Sequence, residues 1–525
     1  MTAEALTAAW TAPGRRRRQL FGRPDVGLDE VTITLVTQTQ RHRRASAGTA
    51  FGRVRALACD PHLHELAALV TAGNQRDHSV GGRPLLYPDW ALLLFGGSIR
   101  IFGSASATAR TLQDPAVWHQ VRDAAATVLG QEALVAVPAT GPSRDHWSYF
   151  CKRRLSPALL TALTSKQREL GVRRAREVGL LDPDRTTSPG KYRREHVVGL
   201  DGKVFSSPLR TLDTQRVDRR TGQLRPVRQD TARQRYGEGG VDNLVWGTKF
   251  AIASVRSRLA NHRVILGLAH FDATTTGGEG RVFTDLALDL ATRAAGIHAY
   301  TADGAWRGTH LSQIQTATGC GVIAPPRHRI GKRGGIIIDG VGHAAQPLPC
   351  SRRRVARESA CSGHQLWASA GTLFEQILNA DGQSEYRELT RHQTKRDTTR
   401  HKDGTVRHQF YARYTQPCPG RADHEWWEPL LNTAADAKAK FNRTEYLRVT
   451  PTTSLDHRRL YGMRQDTESL NAQLERAFYG QRLPAWGVHN QTTVVLLAAV
   501  AENAWARHVW YDEADHQAQR PPNLA

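Results

Sequence analysis

The sequence lacks long apolar segments, a P-loop and any cysteine pattern typical of a disulfide framework. Its six cysteines are scattered over 525 residues and no secretory signal precedes them, so we expect reduced thiols and a cytoplasmic location. The most apolar stretches, residues 90–103 and 492–505, are interrupted by Arg100 or too short to span a bilayer, which argues against a membrane protein. The absence of a G-x-x-x-x-G-K-[ST] loop argues against a helicase.

Acidic residues are scarce relative to basic ones. The chain has 49 Asp and Glu against 72 Lys and Arg, with a formal charge of +23 and a pI near 10.3. The basic excess is spread along the chain and is not confined to one tail, and a balance this far from neutrality indicates a polyanionic partner. Nucleic acid is therefore the expected partner, and a basic protein without such a partner is the alternative.

Changes of pattern along the chain predict separate segments. The first has helical periodicity broken by basic and Pro/Gly-containing stretches, and we interpret it as a helical, DNA-contacting domain. Its four arginines at 15–18 either contact phosphates or form a solvated tail. The predicted segments are the N-terminal domain 1–185, the first part of a sheet domain 190–326, a β-rich basic insertion 327–450, the last part of the sheet domain 451–510, and a tail 511–525.

The first part of the predicted sheet domain alternates between strand-like and helical patterns. Short apolar runs rich in β-branched residues predict strands, and longer amphipathic runs that end at a glycine predict helices. The predicted order is three strands, a helix, a strand, a helix and a strand, over residues 195–205, 247–255, 262–273, 279–296, 297–304, 309–319 and 320–326. This order predicts an α/β fold with a mixed sheet flanked by helices.

The insertion combines a β-like pattern with basic residues and tryptophans. Residues 385–414 are rich in Arg, Lys and His and predict a two-stranded ribbon that turns at Asp403 and Gly404. Three tryptophans either stack on an unpaired base or pack in the core, namely Trp367, Trp426 and Trp427.

Cysteine and histidine spacing in the insertion bears some likeness to a zinc pattern. Cys361 and His364 are three residues apart, and Cys418 precedes His424. The spacing of the second pair is loose for a structural zinc site, so ordinary packing is the competing interpretation.

Two of the predicted strands end in an aspartate that is followed by glycine, namely Asp201 in VVGLDGK and Asp303 in YTADGAWRG. Each of them alone is typical of a turn. Two carboxylates brought together at strand ends, with a third from a helix, would supply the hard oxygen ligands that Mg²⁺ prefers. Asp272, in AHFDATTT, also ends a strand and is a rival for the first ligand. We prefer Asp201 because the strand that carries Asp272 leads directly into the helix before Asp303.

A predicted helix over residues 461–476 places polar groups on one face. At about 100° per residue the polar residues fall within a stripe about 60° wide, and the apolar residues lie on another face. The polar stripe contains Tyr461, Arg464, Glu468 and Glu475, and the apolar face contains Met463, Leu470, Leu474 and Ala477. Such a stripe is typical of a solvated surface. With the two aspartates it also offers Glu468 as a third carboxylate, and three carboxylates with two Mg²⁺ ions form a phosphodiester-cleaving site.

The order of these carboxylates resembles that of the DDE transposases of bacterial insertion sequences, which have an RNase H-like catalytic core. Asp201 is on a first strand, Asp303 begins a D-G-x-x-R-G motif that includes Arg307, and Glu468 is on a helix after an insertion. The resemblance covers about residues 190–510 and implies an RNase H-like mixed sheet interrupted by the β-rich insertion.

The helix over 461–476 resembles the Y-x-x-R-x-x-x-E-x-x-x-x-x-x-K signature of the cut-and-paste subgroup. Tyr461, Arg464 and Glu468 match the first three positions. The sequence departs from the signature at the last position, where Glu475 replaces the lysine and Arg476 follows it.

The resemblance implies a transposase that binds terminal inverted repeats and that cleaves and joins DNA with Mg²⁺, for which Mn²⁺ can substitute. The implied metal ligands are Asp201, Asp303 and Glu468, and the implied DNA contacts are Tyr461, Arg464, Arg476 and Arg307. It also implies transposon ends and target DNA as double-stranded partners, a homodimer on DNA, and a bacterial, nucleoid-associated location. Two alternatives remain open: a metal-dependent nuclease of the same fold without strand transfer, and an inactive transposase-derived DNA-binding protein.

Overall fold

The computed structural model describes most of the chain from residue 50 to residue 518. The described residues are 50–74, 85–209, 214–227, 229–237, 244–258, 262–272, 274, 277–325, 335–338, 341–349, 364–418 and 422–518. Residues 49–525 form one compact unit. The predicted N-terminal stretch over residues 1–49, with the arginines at 15–18, lies outside the described residues.

Helices precede the central sheet in the described part of the chain. They are α1 (Ala50–Ala58), α2 (Pro61–Ala72), α3 (Asp89–Phe102), α4 (Ala105–Leu112), α5 (Pro115–Leu129), α6 (Arg144–Arg153) and α7 (Pro157–Glu177). Asp60, Asp114 and Ser156 cap α2, α5 and α7 by accepting hydrogen bonds from backbone N–H groups of the first turn. A proline follows each of these caps, at a position where the helix needs no N–H donor. The helical pattern predicted here is therefore confirmed for the described residues.

A mixed six-stranded sheet lies at the centre of the fold. The elements of this region are β1 (Val197–Ser206), β2 (Gln215–Val217), β3 (Leu224–Pro226), β4 (Gln234–Gly237), β5 (Leu244–Arg256), β6 (Arg263–Phe271), α8 (Gly278–Arg293), β7 (Ala299–Thr301), α9 (Gly308–Thr318) and β8 (Gly321–Ile323). β1 is antiparallel to β5 and parallel to β7, β4 and β6 both pair with β5, and β8 pairs with β7. The predicted α/β class is confirmed, and the predicted elements occur in the predicted order. The prediction missed β2, β3 and β4, which are short and lie between its first two strands.

Two antiparallel sheets form the insertion. The first has the order β13-β12-β11-β10-β9 and the second the order β14-β15-β16. Their strands are β9 (Gly335–Ile338), β10 (Val341–Pro347), β11 (Leu366–Ser369), β12 (Thr372–Leu378), β13 (Ser384–Glu388), β14 (Thr390–Arg400), β15 (Val406–Gln416) and β16 (His424–Pro429). The predicted ribbon is confirmed as β14 and β15, but residues 385–388 belong to β13 of the other sheet, and β16 adds a third strand beside β15. The ribbon turns at Gly404, whose φ of 81° suits glycine, while Asp403 accepts hydrogen bonds from Thr405.

Further helices follow these two sheets. They are α10 (Ala434–Lys438), α11 (Arg443–Tyr446), α12 (Leu455–Tyr461), α13 (Arg464–Ala477) and α14 (Gly487–Ala518). The first two of them, α10 and α11, still lie within the predicted insertion over residues 327–450.

The helix predicted over residues 461–476 is confirmed from Arg464 onward as α13. Tyr461 belongs instead to α12, because the helix is interrupted at Gly462, a residue of low helix propensity. The tail predicted over residues 511–525 is helical as far as Ala518, where α14 ends. Val509 and Trp510, just before this tail, pack against core residues and stabilise this part of α14.

The largest hydrophobic core joins the N-terminal helices to the last helices and to one face of the sheet. It includes Leu57 and Phe95 from the N-terminal helices, Phe250 from β5, Leu470 from α13 and Leu497 from α14. The boundary predicted near residue 185 therefore does not separate two cores, because the helices on both sides of it bury their apolar faces together.

Alternation along β1 assigns its side chains to two cores. Val198 and Leu200 pack with Phe283 of α8 in a second core, whereas Phe205 belongs to the largest core. Because successive side chains of a strand point to opposite faces, Asp201 lies on the face shared with Phe205 and α13.

Within the described stretches, no single helix is long and apolar enough to cross a membrane. Only α3 and α4, which are bent by 115° relative to each other, pass that test as a pair. Most side chains of α3 are buried inside the protein.

Candidate functional site

Asp201 lies in the middle of β1. The prediction that it ends a strand is wrong, because β1 continues its antiparallel pairing with β5 as far as Ser206. The parallel pairing is what ends near Asp201, since β1 pairs with β7 only from Val197 to Gly199. Beyond Gly199, this edge of β1 therefore faces the residues that follow β7.

Asp303 lies beside Asp201 where the two parallel strands separate. Gly199 pairs with Thr301, so each aspartate lies two residues beyond the last pair, and adjacent strands are about 4.8 Å apart. Burial first, and the charge of Asp303 second, raise the pKa of Asp201 from its ordinary value of 3.8 to about 6. Asp303 also has the turn role expected of it, because its Oδ1 accepts a hydrogen bond of 2.9 Å from the Ala305 N–H.

Glu468 and Arg464 form an ion pair on α13, near the two aspartates. Arg464 Nη2 lies 2.9 Å from Glu468 Oε1, one helical turn away. Both charges act on Asp201, whose pKa Arg464 lowers and Glu468 raises. Burial opposes the charge of Arg464, but the surrounding acidic groups, including Asp303, outweigh it and raise the arginine pKa. The structure thus brings Asp201, Asp303 and Glu468 into one electrostatic cluster.

The three carboxylates do not converge on a single point. Among the residues that the structure describes, only one set of three His, Cys, Asp or Glu side chains has ligand atoms within 4.8 Å of one another, namely His364, Cys418 and His424 of the insertion. Glu468 is instead held by Arg464, and like charges repel one another when no cation neutralises them.

Helix α13 lies along β1 with matched spacing. Two strand residues span about 6.7 Å and four helical residues about 6 Å, so every second residue of β1 can meet every fourth residue of α13. The three contacts are Gly199 with Thr467, Asp201 Oδ2 with Asn471 Nδ2 at 2.8 Å, and Lys203 Nζ with Glu475 Oε2 at 3.0 Å. This register aligns the helix that carries Glu468 with the strand that carries Asp201.

Replacing Gly199 with alanine is expected to push α13 away from β1. A Cβ atom at Gly199 would lie 2.4 Å from Thr467 Cγ2, and overpacking of this kind costs about 1–3 kcal/mol of unfolding free energy. Adding Thr467→Ser removes that methyl group but keeps the hydroxyl, which donates to the Arg464 carbonyl. The double variant should therefore recover most of the loss in urea denaturation.

The control for this substitution is Gly304→Ala. A Cβ atom at Gly304 meets nothing within 4 Å, so stability should change by less than about 0.5 kcal/mol. A double variant as unstable as Gly199→Ala alone would contradict the close approach of α13 to β1.

Asn471 and Lys203 are site residues that the sequence-based prediction missed. Asn471 is 6% exposed, and its amide N–H donates to Asp201, which fixes the orientation of that carboxylate. Its Oδ1 is buried without a hydrogen-bond partner among the described residues. Their spacing could have identified both residues. Asn471 is three positions after Glu468 on a helix and Lys203 is two positions after Asp201 on a strand, and residues at these spacings share a face.

Replacing Glu475 with lysine, the residue of the resembled signature, is expected to destabilise the protein by about 1–2 kcal/mol. Two ammonium groups would then face each other at the position of the Lys203–Glu475 ion pair. Combining it with Lys203→Glu restores opposite charges, so the double variant should recover stability in low-salt urea denaturation. The neighbouring exposed change Arg476→Ala is the control and should shift stability by less than about 0.5 kcal/mol. Additive losses in the double variant would contradict the pairing.

Tyr461 lies beside Arg464 although a helix break separates them. Its ring stacks on His457 with centroids 5.6 Å apart, and it packs partly against a core of the insertion region. After Glu468, Tyr461 is among the groups that raise the pKa of Arg464. The predicted tyrosine and arginine therefore remain neighbours in the structure.

Arg307 and Arg476 are both exposed. Arg307 is four residues after Asp303 and directly precedes α9. Arg476 lies near the end of α13, next to the paired Glu475. DNA contacts by these two residues stay a prediction.

Asp272 is not part of the carboxylate cluster. Leu268 of β6 is level with Asp201 across β5, and Asp272 lies four residues further along and two strands away, roughly 16 Å by strand geometry. Hydrogen bonds from Thr274 and Gln234 hold its pKa at about 2. Of the two candidates for the first ligand, the geometry favours Asp201.

The three tryptophans of the insertion are half-buried. The indole N–H groups of Trp367 and Trp426 donate to side-chain oxygens. The Lys395 ammonium lies 5.0 Å from the ring of Trp427. These are contacts of packed side chains, and base stacking by these rings stays a prediction.

No protein-family model matches this chain, and a search of curated proteins finds no similar one. The candidate site therefore depends on the geometry of the chain itself.

Proposed function

We propose that the chain is a DNA transposase of the DDE type that cleaves and joins DNA with Mg²⁺. The observation that carries this proposal is the proximity of Asp201 and Asp303, each two residues beyond the last β1–β7 pair, with the charge of Glu468 on α13 also acting on Asp201. A carboxylate whose pKa is raised by burial and by a neighbouring carboxylate is typical of sites that bind a cation or perform acid–base chemistry.

The arrangement of the central sheet supports an RNase H-like core. Three antiparallel strands and two parallel ones lie in the order β6-β5-β1-β7-β8. The first strand along the chain carries Asp201, Asp303 follows the parallel strand next to it, and Glu468 comes from a helix after the insertion. This is the order that the resemblance to DDE transposases implies.

The carboxylate cluster has the donor chemistry that Mg²⁺ requires. Asp201, Asp303 and Glu468 would hold the metal, because carboxylate oxygens are hard ligands. A divalent cation would offset the burial and the repulsion that together raise the pKa of Asp201. Two Mg²⁺ ions, when bound, would lower the pKa of the attacking water or hydroxyl and stabilise the leaving oxygen.

Neighbouring side chains would orient these ligands and the DNA. Asn471 holds one oxygen of Asp201 through its amide N–H. Arg464, once separated from Glu468, presents a planar guanidinium that suits phosphate oxygens, and Tyr461 beside it would contact the same backbone.

The basic charge of the chain supports a DNA partner. Arg400, Lys402 and Arg407 are exposed near the turn of the β14–β15 ribbon, and the whole chain has a charge of +23. We assign recognition of terminal inverted repeats to the N-terminal helices, this ribbon and the last helices. Two transposon ends must be held together for joining, so the active form is a homodimer on DNA.

The proposal is tested with the purified full-length chain, labelled DNA that carries the sequences flanking its gene, and a target plasmid. The reactions contain Mg²⁺, Mn²⁺ or EDTA. We expect cleavage at the ends of the flanking inverted repeats and joining of the labelled ends to the plasmid, with Mg²⁺ or Mn²⁺ only. DNA with scrambled terminal repeats is the matched control and should stay intact.

Each of the other outcomes would point to a different function or overturn the proposal. Cleavage without joined products would indicate a metal-dependent nuclease of the same fold. Specific binding of the ends without cleavage in either metal would indicate an inactive DNA-binding protein. A chain that neither binds nor cleaves the DNA ends would overturn the proposal.

A further inference from the structure

Three side chains of the insertion converge on one point. The ligand atoms of His364, Cys418 and His424 all lie within 4.8 Å of one another. We propose that these side chains bind a structural Zn²⁺ ion that ties the two sheets of the insertion together. None of the three belongs to the carboxylate cluster, so the proposal is independent of the proposed function.

The three ligands come from strand ends in different sheets. His364 precedes β11, which lies in the five-stranded sheet. Cys418 and His424 flank the connection between β15 and β16, where Gln416 pairs with His424 and Cys418 is two residues further on. A metal at this point would close the end of the β15–β16 hairpin and attach it to the start of β11.

Both histidines have a buried ring nitrogen that needs a partner. Nε2 of His364 and Nε2 of His424 have no hydrogen-bond partner among the described residues. Their ring centroids are 5.4 Å apart and the ring planes are 74° from parallel. A buried polar atom without a partner costs about 1–3 kcal/mol, and coordination of a metal by each nitrogen would remove that cost.

A carboxylate orients His364 from the opposite side of its ring. His364 Nδ1 lies 2.5 Å from Glu375 Oε1, and the second oxygen of Glu375 pairs with Arg387. The His364 side chain is only 8% exposed. A hydrogen bond from Nδ1–H to a carboxylate leaves the Nε2 lone pair for a metal, which is the usual arrangement of metal-bound histidines.

The donor set selects zinc over the magnesium expected at the carboxylate cluster. One thiolate and two imidazoles are preferred ligands of Zn²⁺, whereas Mg²⁺ prefers oxygen. The described residues supply three ligands, and the fourth tetrahedral position goes to water or to a further ligand. Cys361 lies outside the described residues and is not included in the proposed site.

The first test measures the metal content of the full-length protein purified without chelators. We expect about one zinc per chain in the wild type and less than about 0.1 in Cys418→Ser and His424→Ala. Cys59→Ser and His401→Ala change the same residue types outside the cluster and should keep the zinc, as should Asp201→Asn. A wild type without zinc, or Cys418→Ser with a full complement, would overturn the proposal.

The second test uses Co²⁺ as a spectroscopic probe after zinc is removed by a chelator. We expect a thiolate-to-cobalt charge-transfer band in the wild type and its loss in Cys418→Ser. His424→Cys should retain zinc, because a thiolate replaces the imidazole. This variant distinguishes the loss of a metal ligand from misfolding caused by a substitution at this position. Chelation should lower the urea midpoint of the wild type but not that of Cys418→Ser. A wild type that takes up Co²⁺ without the thiolate band would exclude Cys418 and overturn the site.

Discussion

Replacing Asp201 with asparagine is expected to lower the rate of metal-dependent DNA cleavage by about 10³-fold or more, equivalent to about 4 kcal/mol of transition-state stabilisation. The amide keeps the shape of the side chain, and its oxygen can still accept the hydrogen bond from the Gly202 N–H. It lacks the charge that would hold a divalent cation next to Asp303. The measurement is the single-turnover rate of end cleavage in Mg²⁺.

The same variant is expected to be more stable than the wild type at pH 8 in EDTA. Asp201 is 9% exposed, and burial, followed by the charge of Asp303, raises its pKa from 3.8 to about 6. The folded state therefore binds this proton more tightly than the unfolded state does, and stability falls as the pH rises from about 4 to about 6. Asparagine does not ionise and so avoids this loss of stability. We therefore expect its free energy of unfolding to exceed that of the wild type by about 1–3 kcal/mol at pH 8 and to equal it at pH 4.

Asp272→Asn is the matched control for both measurements. Asp272 also follows a strand of the central sheet, but it lies outside the cluster and its pKa is lowered to about 2. It should leave cleavage unchanged and should not become more stable at pH 8. Loss of cleavage in Asp272→Asn, or wild-type cleavage in Asp201→Asn, would contradict the assignment of the first ligand.

Replacing Arg443 with alanine is expected to destabilise the protein by about 3–5 kcal/mol, because it leaves two buried carboxylates without a counter-charge. The guanidinium donates two hydrogen bonds of 2.8 Å to Asp436 and a third to Glu428. These three side chains are at most 6% exposed. The measurement is the free energy of unfolding in urea.

The Arg443 substitution should also loosen the loop after Asp303. The residues that follow Arg443 hold this loop, since Thr444 donates to the Gly308 carbonyl and Glu445 accepts from the Gly308 N–H. Cleavage should therefore fall in the variant even at temperatures where it remains folded. Unchanged cleavage in the folded Arg443→Ala variant would show that the ion pairs of Arg443 do not support the site.

Two further variants separate charge burial from general damage. Arg413→Ala breaks an ion pair with Glu425 in which both side chains are more than 40% exposed, so it should cost less than about 1 kcal/mol. Adding Glu428→Gln and Asp436→Asn to Arg443→Ala removes the unpaired charges and should recover part of the stability. No recovery in that triple variant would contradict the electrostatic explanation.

Local pattern was sufficient to predict the two strands of the ribbon and all elements of the central sheet except the short edge strand β4. The predicted strands and helices between residues 195 and 326 form in the predicted order, because each buries apolar residues at its own period. The ribbon turns at the predicted Asp403 and Gly404, because these residue types favour a turn. The helix over 461–476 was predicted without its break at Gly462, since the polar and apolar periodicity hardly changes over two residues.

By itself the sequence determined most of the strands and helices of the sheet domain, the basic charge, and which carboxylates are available. Only the tertiary structure decided which of them meet. The β1–β7 register sets Asp201 beside Asp303, and packing of α13 on β1 brings Asn471 to Asp201 and Lys203 to Glu475. Register and helix packing depend on contacts between residues far apart in the chain, and no local periodicity encodes such contacts.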